Sequence, residues 1–230
     1  MSKTVFDIFE KRRKNGYTQY FAYAIGLLAT DGCFYNDKRH MSLTTKDIQQ
    51  AENFKKCLKI DVKIGLKANK SLKEKTYYHV QFGDVKFYDF LLSIGLSEAK
   101  SKTIGIIKIP DEYFFDYLRG SFDGDGCFYS YWDPRWSSSH MFYIEFVSAS
   151  KKHIYWLQKK MKDKVGINGH ITKTIKKICY QLKYAKKEVI VIIEKIYYNP
   201  NVVCLSRKRE KIEKALKVER LQQKKYARVL

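Results

Sequence analysis

Proline, paired cysteines and long apolar runs are scarce in this chain of 230 residues, and each scarcity closes off a class of protein. The three prolines leave one natural joint mid-chain, at Ile109-Pro110-Asp111. The five cysteines, Cys33, Cys57, Cys127, Cys179 and Cys204, are odd in number, widely spaced and without a Cys-x-x-Cys pair. That pattern excludes a disulfide-built scaffold and predicts free thiols in a reducing intracellular compartment, a prokaryotic cytoplasm or an organelle matrix. Histidines are equally dispersed, at His40, His79, His140, His153 and His170, so no zinc-ligand spacing is present. No uninterrupted apolar stretch approaches ~18 residues, and Met1-Ser2-Lys3-Thr4-Val5-Phe6-Asp7 has no apolar core of a secretion signal. The expectation is a soluble protein that is neither exported nor membrane-bound.

Acidic residues are also in deficit. There are 24 Asp+Glu against 45 Lys+Arg, a formal net charge of +21 and a pI near 9.6. Residues 1–110 hold 20 Lys+Arg against 11 Asp+Glu and residues 111–230 hold 25 against 13, so the positive charge belongs to the whole chain and not to one tail. A polyanion partner follows, most simply nucleic acid. Membrane-surface binding would need a dominant amphipathic basic helix, which the sequence does not offer.

Against that basic background two acids stand in matched settings. Ala24-Ile25-Gly26-Leu27-Leu28-Ala29-Thr30-Asp31-Gly32 and Leu118-Arg119-Gly120-Ser121-Phe122-Asp123-Gly124-Asp125-Gly126 each carry a Gly, an Asp five residues on, a second Gly and then Cys-Phe-Tyr. An apolar run ending in Gly before an aromatic segment reads as a helix stopped at glycine and followed by a strand. Each carboxylate would then sit at the negative end of a helix dipole, where ionisation is disfavoured without a cation. Two such ends side by side repel more strongly, and a hard divalent ion such as Mg²⁺ resolves the conflict. A single Asp-Gly is an ordinary turn; two in matching contexts point to a duplicated functional unit.

The flanking pattern repeats as well. A charged leader with Lys11-Arg12-Arg13-Lys14 precedes the first helix. A strand from Cys33, a return strand through Met41, Leu43 and Thr45, and a helix with Ile48, Ala51, Phe54, Cys57 and Leu58 follow. Two alternating strands, 62–67 and 76–82, and a helix over about 86–94 complete α-β-β-α-β-β-α. Beyond Pro110 the order recurs, with strands near 127–132, 141–149, 169–174 and 178–184 and basic helical sequence over 205–225. The reading is two halves, 1–110 with a basic leader and 111–230 with a basic helical tail.

These residues carry a resemblance to a known family. The chain resembles the monomeric LAGLIDADG homing endonucleases, which hold two such motifs in one polypeptide. The likeness covers nearly the whole chain and extends to Gly95-Leu96-Ser97-Glu98-Ala99-Lys100-Ser101, Leu182-Lys183-Tyr184-Ala185-Lys186-Lys187-Glu188 and Leu205-Ser206-Arg207-Lys208. It implies an α+β fold of two pseudo-symmetric halves, each with a four-stranded antiparallel sheet forming part of a DNA-binding saddle. The motif helices would pack at the central interface through Ala22, Gly26, Ala29, Gly120 and Gly124. The first motif departs from the family pattern, with Ala29 where the second keeps Asp123.

The resemblance further implies a site-specific endonuclease that hydrolyses both strands of a long asymmetric double-stranded DNA target, leaving short 3′ overhangs. Asp31 and Asp125 would bind Mg²⁺, with Mn²⁺ substituting and Ca²⁺ binding without supporting efficient cleavage. A lysine after each return strand is expected near the acids. Strand alternation favours Lys46 in the first half and Lys151 in the second, with Ser150 and Lys152 as alternatives. One chain carries both motifs, so a monomer suffices, and a start at Met1 without splicing-junction residues favours an intron-encoded or stand-alone gene. Two other readings use the same scaffold: a maturase that binds its host intron RNA, and a DNA-binding regulator.

Alternation also nominates the DNA-reading face. Counting by two from each acid gives Cys33, Tyr35, Asp37 and Arg39, then Cys127, Tyr129, Tyr131 and Arg135. The return strands add Ser42 and Thr44, then Tyr143 and Glu145. With Val62, Ile64, Leu66, Tyr78, Val80 and Phe82 inward, Lys63, Lys67, Tyr77, His79 and Gln81 face out; in the second half Gln181 and Lys183 do so.

Overall fold

A computed structural model describes residues 17–68, 76–136, 139–174 and 179–226. The basic leader lies outside the described residues. The first helix, α1 (Gln19–Asp31), begins where the Thr18 hydroxyl accepts from the Phe21 amide at 3.2 Å and ends on the first acid. It feeds β1 (Gly32–Phe34), β2 (His40–Thr45), α2 (Ile48–Leu58), β3 (Gly65–Ala68), β4 (Thr76–Gly83), α3 (Val85–Ser93) and a one-turn α4 (Lys100–Thr103). After Pro110 a 3₁₀ turn leads into α5 (Phe114–Asp125), which ends on the second acid. Then come β5 (Cys127–Trp132), β6 (His140–Ser148), α6 (Lys151–Val165), β7 (His170–Thr174), β8 (Cys179–Ala185), α7 (Lys186–Ile196) and α8 (Ser206–Tyr226).

The strands form two four-stranded antiparallel sheets of the same topology, β1-β2-β4-β3 and β5-β6-β8-β7. The architecture is α+β, as expected. Each sheet has one face on helices: Met41, Leu43, Val80 and Phe82 are buried in the first, Phe142, Ile144, Phe146 and Leu182 in the second. One continuous apolar core joins both sets to α1 and α5. Among the described residues no helix is long and apolar enough to cross a membrane.

Two sequence expectations need correction. Alternation assigns Leu66 inward, but β3 is the edge strand and Leu66 is 70% exposed, whereas Val62 and Ile64 before the strand pack partly on the core. The glycines after the acids are not left-handed caps: Gly32 (φ −76°) and Gly126 (φ −71°) have extended backbones. They are small because the chain doubles back on its own helix, where a Cβ would lie 2.8 Å from Leu28 Cα at Gly32 and 2.6 Å from Phe122 Cα at Gly126.

α1 and α5 pack against each other most closely where Gly26 faces Gly120. A Cβ on Gly26 would fall 2.7 Å from Ser121 N and 2.9 Å from Gly120 Cα, and one on Gly120 would lie 3.1 Å from Gly26 Cα. Backbone cannot yield as a side-chain tip can, so Gly120→Ala is expected to cost about 2–3 kcal/mol. Thermal denaturation against Gly105→Ala, where nothing lies within 4 Å, checks this; equal melting temperatures would refute it.

Candidate active site

The close contact of α1 and α5 brings their carboxyl ends together. Gly124, one residue before Asp125, stands so near α1 that a Cβ there would lie 3.2 Å from Asp31 Oδ2. Burial, and then the charge of Asp125, push the Asp31 carboxyl up to about 6. Asp125 is more open to solvent and is also raised, by partial burial. The electrostatic conflict anticipated from sequence is therefore present in the fold.

Opposing it are two lysines from distant segments. Lys100, only 6% exposed, donates to the Gly32 carbonyl at the end of α1. Lys208, at the start of α8, donates to the carbonyls of Asp123 (2.8 Å), Gly124 (3.2 Å) and Gly126 (2.7 Å) at the end of α5. Each cation thus satisfies carbonyls left over at a helix C-terminus and offsets its dipole. Burial lowers both ammonium groups, Lys208 to about 8, and the charges of both lysines draw Asp31 and Asp125 down.

Neither Lys46 nor Lys151 takes this place. Lys46 is exposed with its ammonium 5.5 Å from the Tyr77 ring centroid, and Lys151 is exposed, 5.4 Å from that of Tyr155. Ser150 is the buried N-cap of α6 and donates to the Ile104 carbonyl, and Lys152 is exposed. Lys100 and Lys208 lie in two segments already noted for their family likeness, but nothing in either segment singles out the lysine.

Asp123, which stands where the first motif has Ala29, does structural work. It is fully buried, and its Oδ2 accepts from Tyr23 Oη and from the Leu205 amide, both at 2.8 Å. It therefore ties α1 and the segment leading into α8 to α5. Ala29, its counterpart, lines a cleft beside Asp125.

Cross-strand register places those nominated residues that lie in paired strands on one face of each sheet, while Tyr35, Asp37, Arg39, Lys63 and Arg135 lie outside the strands. Cys33, Ser42 and Gln81 lie opposite one another in the first, Thr44 lies opposite His79, and Lys67 opposite Tyr77. Ser42 is buried despite its face because Tyr35 Oη lies 3.4 Å over it. His79 bridges Thr44 (2.9 Å) and Gln81 (3.2 Å). Arg39 and Lys63 are exposed at strand entrances, whereas Asp37 accepts from the Arg39 and His40 amides and the His40 ring, contacts that hold the turn and lower it to about 2.

In the second sheet Cys127, Glu145 and Lys183 align, and Tyr129 lies opposite Tyr143. Tyr129, Tyr143 and Tyr131 stack in series, and Lys183 lies 4.2 Å from the Tyr143 centroid. Gln181 pairs with Thr172 at 3.3 Å, and Arg135 is held in the β5–β6 turn by Asp133. One sheet presents small polar groups and imidazole, the other a tyrosine platform.

Two sheets with a shared pair of acid-ended helices between them define the two-motif LAGLIDADG homing endonuclease fold. The chain is similar to I-SmaMI bound to an uncleaved DNA target in the presence of calcium ions, with a TM-score of 0.60, 13% identity and coverage of 91% of this chain and 93% of that one. It is similar to I-WcaI bound to its DNA recognition sequence, with a TM-score of 0.59, 15% identity and coverage of 88% and 91%. Full-length DUF199/WhiA from Thermatoga maritima matches at a TM-score of 0.55 and 15% identity over 87% of this chain, which spans 61% of that protein. No protein-family profile and no curated protein sequence matches the chain.

Proposed function

We propose that this chain is a site-specific endonuclease that hydrolyses both strands of a long, asymmetric double-stranded DNA target and leaves short 3′ overhangs. The observation that carries the reading is the Asp31–Asp125 pair, two carboxylates forced together at helix ends between two one-sided sheets. The donor set suits a hard divalent cation. Among the described residues no three His, Cys, Asp or Glu side chains converge, so two carboxylates would leave the remaining positions to water and phosphate oxygens, as Mg²⁺ prefers. Mn²⁺ would substitute, and Ca²⁺ would bind without efficient turnover. When bound, the ion supplies an activated water and neutralises charge on the phosphate.

The protein's own groups do the rest. Asp31 and Asp125 bind and orient, and Lys100 and Lys208 hold the two helix ends and set a positive field around the acids. The outward sheet faces grip the major groove, Gln81 and Gln181 suiting adenine and Lys63 and Lys67 the phosphates. Residues 1–110 and 111–230 each serve one half-site, and because one chain supplies both acids the working form is a monomer. The differing outward faces make the target asymmetric.

Incubation with a plasmid library of candidate intron-insertion sites tests this. Linear product with Mg²⁺ and none with EDTA is the expected result. Tight binding to the host intron RNA with no metal-dependent cut at any site would instead favour a maturase, and sequence-specific DNA binding without cutting would favour a regulator.

A further inference from the structure

The two acids are not held alike, and internal symmetry shows where they differ. β2 meets α2 at Thr45, whose hydroxyl accepts from the Asp47 amide at 3.1 Å; β6 meets α6 at Ser148, whose hydroxyl accepts from the Ser150 amide at 3.1 Å. Asp47 and Ser150 are the N-caps of the two helices. Thr45 and Ser148 are thus equivalent, as are the caps, and the third residue after each cap is Gln50 in one half and His153 in the other.

Gln50 is 2% exposed and both ends of its amide are engaged. Oε1 accepts from the Thr45 hydroxyl at 3.1 Å, and Nε2 donates to Asp31 Oδ2 at 2.6 Å. The Asp31 contact fixes which end is which, because an ionised carboxylate only accepts, so the amide nitrogen faces it and the amide oxygen is left to accept from the Thr45 hydroxyl. His153 points elsewhere: Nδ1 lies 2.8 Å from the Gly105 carbonyl and Nε2 lies 3.4 Å from Tyr117 Oη. A cleft of about 310 Å³ opens beside it, lined by Ala29, Thr30, Ser121, Asp125 and Ser148 among others. Among the described residues no side chain hydrogen-bonds Asp125.

We propose that Gln50 is a positioning residue that pre-orients Asp31 while Asp125 is oriented only when DNA and metal bind, so that the two strands are cut at unequal rates and in a fixed order. The inference rests on the nuclease reading above. A carboxylate fixed before the reaction needs no reorganisation during it, whereas a free one must be ordered each time. One charge-assisted hydrogen bond corresponds to roughly a tenfold rate difference.

The experiment is single-turnover cleavage of a supercoiled target, reading each strand separately. Wild type should accumulate a nicked circle cut in the same strand in every molecule. Gln50→Ala should slow that strand about tenfold, leave the other within about twofold, and abolish the order. Gln50→Met keeps most of the volume but removes the donor without adding charge; it should behave like Gln50→Ala, and an unchanged order in it would reduce Gln50 to packing and overturn the proposal. A readout independent of cleavage uses metal-free, ¹⁵N-Gln-labelled protein: the Gln50 side-chain amide resonance should move with Asp31→Asn and not with Asp125→Asn. An unmoved resonance in Asp31→Asn overturns the positioning contact. Equal wild-type rates on both strands overturn this inference alone, while absence of any cut overturns the nuclease reading.

Discussion

Replacing Asp31 with Asn is expected to reduce cleavage about a thousandfold or more while making the metal-free protein more stable. Both effects have one origin. The folded carboxyl titrates near 6, above its ordinary 3.8, because burial and the nearby Asp125 charge oppose ionisation. A carboxyl raised on folding contributes its full stability below the unfolded value and loses it as pH rises through the folded value. In EDTA the wild type should therefore lose stability relative to Asp31→Asn between about pH 4 and pH 6, and the two should converge below about pH 4. At pH 7 the difference is on the order of 2 kcal/mol, discounted for the partial exposure of Asp31. Gln50 can still donate to the amide oxygen of the substituted side chain, so the variant keeps its local geometry. Adding Mg²⁺ should stabilise the wild type and not the variant. A stability difference independent of pH would show that the carboxylate pair stores no repulsion.

The placing of the two acids at helix ends was legible in the sequence because it rests on local features repeated twice. A helix ending in Asp-Gly before Cys-Phe-Tyr needs no long-range information, and the second copy excludes chance. The order of strands and helices was legible for the same reason, since each element follows from its own periodicity. The lysines were not. Lys100 reaches Gly32 and Lys208 reaches Gly126 across the chain, and nothing local distinguishes a lysine that closes a helix end from one in solvent. Strand parity located the acid-proximal ends of β2 and β6 correctly, but the lysines beyond those ends turn outward over Tyr77 and Tyr155.

Gln50 was hidden differently. At the third position of an amphipathic helix, glutamine reads as an ordinary polar residue near a cap, and only the fold shows it buried between Thr45 and Asp31. The hydrogen bonds Thr45–Asp47 and Ser148–Ser150 locate what the sequence offset cannot, because the β5–β6 hairpin is longer than the β1–β2 hairpin in its strands as well as in its connection. The departure at Ala29 likewise acquires a reason: Asp123 anchors the approach to α8, and Ala29 leaves space beside Asp125.

Arg119→Ala is expected to destabilise the fold by about 3–5 kcal/mol, more than Gly120→Ala. Arg119 is 1% exposed within α5, and every arm of its guanidinium is committed. Nη2 pairs with Asp116 at 2.7 Å, Nε donates to the Val203 carbonyl at 2.8 Å and Nη1 to the Ile196 carbonyl at 2.9 Å. Ile196 is the last residue of α7, and Val203 lies in the link to α8, so one side chain ties the central helix to the segment that delivers Lys208. Truncation would leave Asp116 as a buried charge without that partner and free two carbonyls in a dry site. In a chain of this size the melting temperature should fall by roughly 10 °C or more. Arg119→Lys keeps the charge but cannot span three acceptors in a plane, so it should recover less than half of the loss. Because the anchor positions Lys208, any Arg119→Ala protein that remains folded below its midpoint should also cut DNA more slowly. Thermal denaturation with strand-resolved cleavage on the same preparation measures both, and wild-type stability in Arg119→Ala would remove Arg119 from its place as the anchor of α8.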